Sequence, residues 1–149
     1  MIEVFSIHKN TQDEYDTLTC EFEKKIASYV KITQHILFTK DIQKQQKIGS
    51  KEAKISYTKA YENHLNGYCV ALDERGKSLD SMQFAKLLEE DKISFFIGGA
   101  YGFESAFLDK CQKTISLSSL TMSHKIAKLM LFEQIYRGCS ILNNHPYHK

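Results

Sequence analysis

The sequence predicts an α/β fold, a mostly parallel sheet with helices on both faces. Two observations predict it. Apolar residues switch repeatedly between short runs or period two, as in strands, and period 3.6, as in helices. The strand-like runs are also separated by helical segments long enough to cross back over a sheet, which parallel pairing requires. At 149 residues the chain can bury roughly two-thirds of the surface its unfolded form exposes, so one domain spanning 1–149 is expected without disulfides or a structural metal.

The elements follow in order. Residues 2–7 alternate as a first strand. Over 13–30, Tyr15, Leu18, Phe22, Ile26 and Tyr29 recur at three- or four-residue steps and share one helical face. Residues 32–38 form a second strand. The Lys/Gln-rich stretch TKDIQKQQKIGSK that follows has no period and reads as an exposed or mobile connection. A helix over 52–65 ends at Asn66-Gly67, a C-terminal stop signal. Residues 68–72 (YCVAL) are a continuous apolar run, as in a central strand covered on both faces. DERGKSLDS then reads as a turn-rich loop. In the next helix Met82, Ala85 and Leu88, or Phe84, Leu87 and Leu88, face inward. Residues 93–97 (ISFFI) are another buried strand, running into the glycine loop GGAYG. A short helix over 104–111 leads to a fifth strand at 114–118, then the loop SSLTMS, which ends at Ser123, a candidate N-cap. The last helix covers 124–143, with Ile126, Leu129, Met130, Phe132, Tyr136 and Cys139 as candidates for burial.

Composition excludes several classes. With one Pro, seven Gly and 42% hydrophobic residues the chain is neither collagen-like, mucin-like nor disordered. No apolar run approaches the ~20 residues of a membrane span, and MIEVFSIHKN lacks the apolar core of a secretory signal. The expected location is the cytoplasm, with no membrane partner. Cys20, Cys69, Cys111 and Cys139 are widely spaced, without CxxC or a Cys–His cluster, so no metal is expected and the thiols are read as free and mostly buried. The net charge of +2 is unevenly divided: residues 110–149 carry six basic side chains and one acidic. That end fits either a focused anionic partner or a solvated helix face balanced by the acidic stretch before it.

In open α/β sheets ligands bind beyond the carboxyl ends of the strands. Three such ends stand out: Leu72-Asp73, the glycines after Ile97, and residues 117–122. Glycines there permit either a tight turn alone or close backbone approach to a ligand. Their spacing, GGxxG, is not the dinucleotide fingerprint, which disfavours a small oxidoreductase. The 117–122 loop is either a plain capping loop or an anion site at a helix start. The ending NNHPYHK is either an expendable terminus or a source of imidazoles and a phenol for phosphate contact and proton transfer.

The combination LDERGK, FFIGGAYG, ISLSSLTMSH, LFEQIYRGCSI and a terminal PYHK, in this order and spacing, resembles the RlmH family of SPOUT-class ribosomal RNA methyltransferases. The likeness covers nearly the whole chain and is densest from Cys69 onward. It implies a C-terminal trefoil knot, a homodimer and S-adenosylmethionine as cofactor. The implied reaction is methylation of N3 of a pseudouridine in the helix 69 stem-loop of 23S RNA on the assembled ribosome. Leu72, Gly98, Leu117, Ser118, Ser119, Leu120, Thr121 and Met122 match the family's cofactor-binding positions. His124, Glu133, Tyr136, Arg137, Tyr147 and His148 match positions on its last helix and tail. Arg137 is assigned to phosphate, and His124, Tyr147 and His148 to substrate contact or proton handling. Glu133 is either a structural partner of a nearby base or part of the chemistry. The chain departs from the family at Ser123, where Pro is frequent, and at Lys128, where Arg is frequent. So small a monomer has little surface with which to clasp a cofactor and an RNA hairpin. Each subunit's tail is therefore expected to complete its partner's site. The competing reading from another class is a non-enzymatic ribosome-binding or assembly factor with a retained cofactor pocket.

Overall fold

The computed structural model describes residues 1–149. Strands β1 (Ile2–Ser6), β2 (Ile32–Ile36), β3 (Tyr68–Ser78), β4 (Ile93–Ile97) and β5 (Lys113–Ser116) form one sheet in the order β2-β1-β4-β3-β5, and every pairing is parallel. Helices α1 (Glu14–Ala27), α2 (Lys40–Ile48), α3 (Ser50–Glu62), α4 (Ser81–Leu87), α5 (Ser105–Leu108) and α6 (His124–Leu142) cover both faces. The expected α/β class is what the chain adopts.

Both faces of the central strands are buried, and the strand period of two sorts their side chains into two cores. Val4, Val70, Leu72, Phe95 and Ile97 meet Phe84 of α4 and Leu131, Phe132 and Ile135 of α6. Phe5, Cys69, Ala71 and Phe96 meet Tyr57 and Tyr61 of α3 and Phe107 of α5. All four cysteines are free, with Cys69 and Cys139 buried and Cys20 exposed. Burial pushes the Cys111 thiol up to about 12 and that of Cys139 to about 11, so both stay protonated at neutral pH.

Four expectations change. The polar connector is the helix α2, capped by Thr39, whose hydroxyl accepts from the Ile42 amide at 3.1 Å. Its only fully buried side chain is Ile42, too thin a signal to register as a period. Helix α3 stops at Glu62, before Asn66-Gly67. Gly67 instead has φ +74° and lies where a Cβ would sit 2.6 Å from the Lys92 carbonyl, so it serves the entry to β3. The segment read as a loop after Leu72 continues β3 to Ser78: Leu72 and then Lys77 pair with Ile115, with an irregularity between them. A bulge of this kind re-aims side chains, and it sets Asp73, Glu74 and Arg75 at the sheet's carboxyl edge. Helix α4 keeps the second of its two expected faces, burying Phe84 and Leu87 with Leu88 packed against the core and leaving Met82 exposed. In α6 Phe132 and Cys139 are buried as expected, but Leu131 and Ile135 join them while Ile126 and Met130 face outward.

Candidate functional site

The three strand ends converge. Leu72 and Asp73 after the regular part of β3, Gly98 to Phe103 after β4, and the loop after β5 line one cleft of about 680 Å³. Of the eight predicted cofactor positions, Leu72, Gly98, Leu117, Ser118, Leu120, Thr121 and Met122 line it, while Ser119 does not. The glycine turn closes on itself, with the Gly102 amide donating to the Gly99 carbonyl at 3.0 Å and φ +77° at Gly102. A Cβ on Gly99 would stand 2.5 Å from the buried Tyr57 ring, so the turn sits directly on α3.

Residues 118–122 leave main-chain groups open. None of their amides donates to a main-chain carbonyl, and only the Leu120 amide has an intramolecular acceptor, the Ser118 hydroxyl at 3.0 Å. The Ser116 hydroxyl donates to the Ser118 carbonyl at 2.7 Å and holds the loop's first turn. At the mouth Thr121 donates to Glu74 at 2.7 Å, tying the loop to the β3 bulge. Arg75 grips Asp73 through Nε at 2.7 Å and Nη2 at 2.9 Å, and the Arg75 hydrogen bond holds the Asp73 carboxyl below its ordinary value. Asp73 marks one of the three expected strand ends, but its pairing with Arg75, and the approach of Glu74, Arg75 and Lys54 to the cleft, were not singled out by sequence. Asp73, Glu74 and Arg75 lay in a segment that read as a turn, and Lys54 reaches the cleft from α3, which no local pattern reveals.

Helix α6 begins at the cleft. Ser123 caps it as expected, its hydroxyl accepting from the Ile126 amide at 3.4 Å, and His124 lines the cleft. Lys125 forms ion pairs with Asp13 and Asp16, which are themselves the capping box of α1. Lys128 is 3% exposed and forms no ion pair, and burial pushes its ammonium below the ordinary lysine value.

The remaining predicted residues gather elsewhere. Glu133 accepts from Arg137 and, at 3.0 Å, from the Tyr147 hydroxyl, which links the tail to α6. The Arg137 guanidinium lies 4.8 Å from the Tyr147 ring centre, and its Nη1 is 3.3 Å from His148 Nδ1. Tyr136 packs on Tyr147 at 4.6 Å. The hydrogen bond to Glu133 raises the arginine further above its already high value. None of these five lines the cleft of its own chain. With 1.5 Å of rise per residue, Arg137 stands roughly 20 Å along the helix from His124. The basic end is also less free than its sequence suggests. Lys110, Lys125 and Arg137 are paired with acids and Lys128 is buried.

A family model described as "Predicted SPOUT methyltransferase" matches residues 1–148. The chain belongs to the SPOUT methyltransferase family. Similar relatives include proteins of Aliarcobacter butzleri and Campylobacter concisus, each 48% identical over 149 residues that cover 99% of both chains. One from Campylobacter hominis is 49% identical over 159 aligned residues, covering all of both. Each of the three is named "Ribosomal RNA large subunit methyltransferase H". In this SPOUT methyltransferase no helix is long and apolar enough to cross a membrane, and no group of three His, Cys, Asp or Glu is placed to hold a metal ion.

Proposed function

We propose that the protein transfers a methyl group from S-adenosylmethionine to N3 of a pseudouridine in the helix 69 stem-loop of 23S RNA on the assembled ribosome. It would act in the cytoplasm, as a homodimer with the family's trefoil knot. The observation that carries this reading is the convergence of three strand ends on one cleft whose 118–122 amides have almost no partners within the chain. The names of the relatives supply the class of substrate.

The cleft suits the cofactor. Its open amides and carbonyls can hold the edge of an adenine, and Leu72, Leu117, Leu120 and Met122 supply apolar walls. Bound there, S-adenosylmethionine supplies a methyl carbon on a sulfonium, to be displaced in line. The protein's task is then to place the acceptor nitrogen against that carbon and to take its proton. Arg137, held by Glu133, would contact an RNA phosphate, and Tyr147 would contact the substrate. An imidazole, His124 or His148, would receive the N3 proton.

One chain cannot bring these groups together, because the tail cluster and His124 sit at opposite ends of α6. A second copy would let them meet. Ile126, Met130, Glu133 and Arg137 follow one another at three- and four-residue steps along one face of α6, so an outward stripe, exposed and apolar at Ile126 and Met130 and charged at Glu133 and Arg137, runs from the cleft to the tail cluster. Burying that stripe in a two-fold contact would carry each tail toward the other chain's cleft. Mass mapping of ribosomal RNA from cells with and without the protein tests the reading. A methyl group missing from the helix 69 pseudouridine in the deleted strain is expected, and an unchanged methylation pattern would overturn it.

A further inference from the structure

His8 lies just beyond β1 and is 5% exposed, yet it belongs to neither apolar core. Both of its ring nitrogens are engaged. Nδ1 is 3.0 Å from the Lys9 carbonyl oxygen and Nε2 is 3.2 Å from the Ser6 hydroxyl. A carbonyl can only accept, so Nδ1 carries the proton and Nε2 accepts from the serine. The ring is thereby fixed in one tautomer and one orientation. Against it, 5.3 Å away and only 19° from parallel, lies the ring of His124.

His124 and His148 differ in what their nitrogens can do. Neither nitrogen of His124 is hydrogen-bonded within the protein, and the residue lines the cleft. His148 Nδ1 faces a guanidinium, which is always a donor, so its own proton sits on Nε2 and that nitrogen can only donate. We propose that His8 is a positioning residue for methyl transfer: its locked ring orients His124, and His124 is the imidazole that takes the N3 proton. The assignment rests on the reading of the reaction given above and sharpens it.

The surroundings of the pair oppose a second charge. Burial lowers the His124 value, and His8, Lys125 and Lys128 push it further down. His8 is lowered chiefly by burial; the hydrogen bond to the Lys9 carbonyl works against this, Lys128 and Lys125 lower it further, and Asp16 of α1 opposes them weakly. Asp13, the remaining acid on that side, is tied to Lys125. The start of α6 adds the positive end of a helix dipole. An imidazole held uncharged near neutral pH has a lone pair ready for a proton. In the step itself the N3–H bond breaks and its proton goes to a His124 nitrogen. The N3 electron pair forms the bond to the methyl carbon, while the carbon–sulfur pair stays on sulfur as a neutral thioether. The imidazolium then passes its proton to water.

Two variants test this. His8→Phe keeps a flat ring for the stack but removes the second imidazole, and His8→Ala removes the surface altogether. The His124 ring is followed by NMR through a pH titration of the free protein, and methylation of ribosomes is followed against pH. In His8→Phe the His124 midpoint is expected to rise toward the ordinary histidine value of about 6.5. The acid limb of the rate profile should move to higher pH with it, and the rate near pH 8 should fall by about threefold, less than in His8→Ala, because the ring loses its hydrogen bonds to Ser6 and Lys9 while the KM for S-adenosylmethionine stays within about twofold. In His8→Ala the rate should fall at every pH, by about tenfold, with cofactor affinity kept. A His124 midpoint and acid limb in His8→Phe that match the unaltered protein overturn the role of His8. So does a loss equal at all pH that is accompanied by loss of cofactor binding, since that is what a merely structural role would give. Failure of the unaltered protein to methylate ribosomes overturns the methyl-transfer reading itself and the role of His124 with it. A methylating protein whose limb stays in place in His8→Phe overturns the His8 assignment alone.

Discussion

At its first turn α6 presents His124 to a cleft built from the ends of three strands. Thirteen residues later the same helix presents Arg137 to Glu133, Tyr147 and His148. The first end is shaped by the sheet: residues distant in sequence, such as Leu72, Gly98 and Thr121, are carried to it by buried parallel strands. The second is shaped locally, by one helical turn and the tail that folds back on it. The first is rich in main-chain groups and hydroxyls with few free charges, as a neutral base ring would need. The second holds a cation in a fixed fork, as a phosphate would need. On the proposed reading, neither end alone is a complete site.

If two chains each contribute one end, damage to opposite ends should be complemented in mixed dimers. This is the largest effect expected. Arg137→Ala alone should lower methylation by about a hundredfold or more while cofactor binding is kept. Gly98→Val alone, whose side chain would press on Gly102 from a Cβ 3.1 Å away, should abolish cofactor binding. Coexpressed, the two chains form mixed dimers in which one of the two sites is intact, so about a quarter of the sites overall should work. Mixed preparations no more active than the single variants would place both halves of each site on one chain.

The two ends also differ in how legible they were. The cleft could be located from strand ends because a parallel α/β sheet forces its ligand site to that edge, and runs such as YCVAL and ISFFI mark the strands. The bulge that delivers Asp73 to Arg75 was hidden, since polar residues within a strand look like a turn until the pairing with Ile115 is seen. His8 was hidden for the same kind of reason: its stack with His124 joins residues more than a hundred positions apart. At the other end the tail's imidazoles and phenol stood out in NNHPYHK, but Glu133 and Arg137 were named only through family resemblance. Their mutual contacts depend on the tail turning back at Asn144, the one non-glycine residue with positive φ (54°). The burial of α6 differs from its expected pattern because the helix carries apolar residues on two sides, and sequence cannot say which of them meets the sheet.

The outward side gives the next prediction. Met130→Glu places a charge in the middle of the exposed stripe, between the two ends. The dimer should weaken by about tenfold to a hundredfold, since a buried unpaired carboxylate costs several kcal/mol. Methylation should fall in parallel while the folded monomer keeps its cofactor cleft. Sedimentation against concentration checks the first point and cofactor titration the second. A dimer unaffected by Met130→Glu would move the interface away from α6.

The smallest effect concerns stability, and it should be confined to the cleft end. His8 and His124 both have values lowered in the folded protein, chiefly by burial. Below about pH 6.5 the unfolded chain protonates these rings and the folded chain does not. Stability that is fully present above that pH is therefore lost as the pH falls, by up to about 1.4 kcal/mol per pH unit for each histidine, until the folded values are reached. Lys128 on the next turn works in the same direction at the other end of the scale. Its charged form is disfavoured by burial, so stability should rise as the pH climbs toward the ordinary lysine value of about 10.4. Lys128→Met removes that burden and should raise stability at neutral pH by about 1 kcal/mol. Arg137 has a value raised by Glu133 and keeps its charge throughout, so Arg137→Met should leave the shape of the curve unchanged. Urea unfolding from about pH 5 to 10 measures all three. A pH profile that stays the same in His8→Phe and Lys128→Met would mean that the start of α6 is not the strained end of the helix.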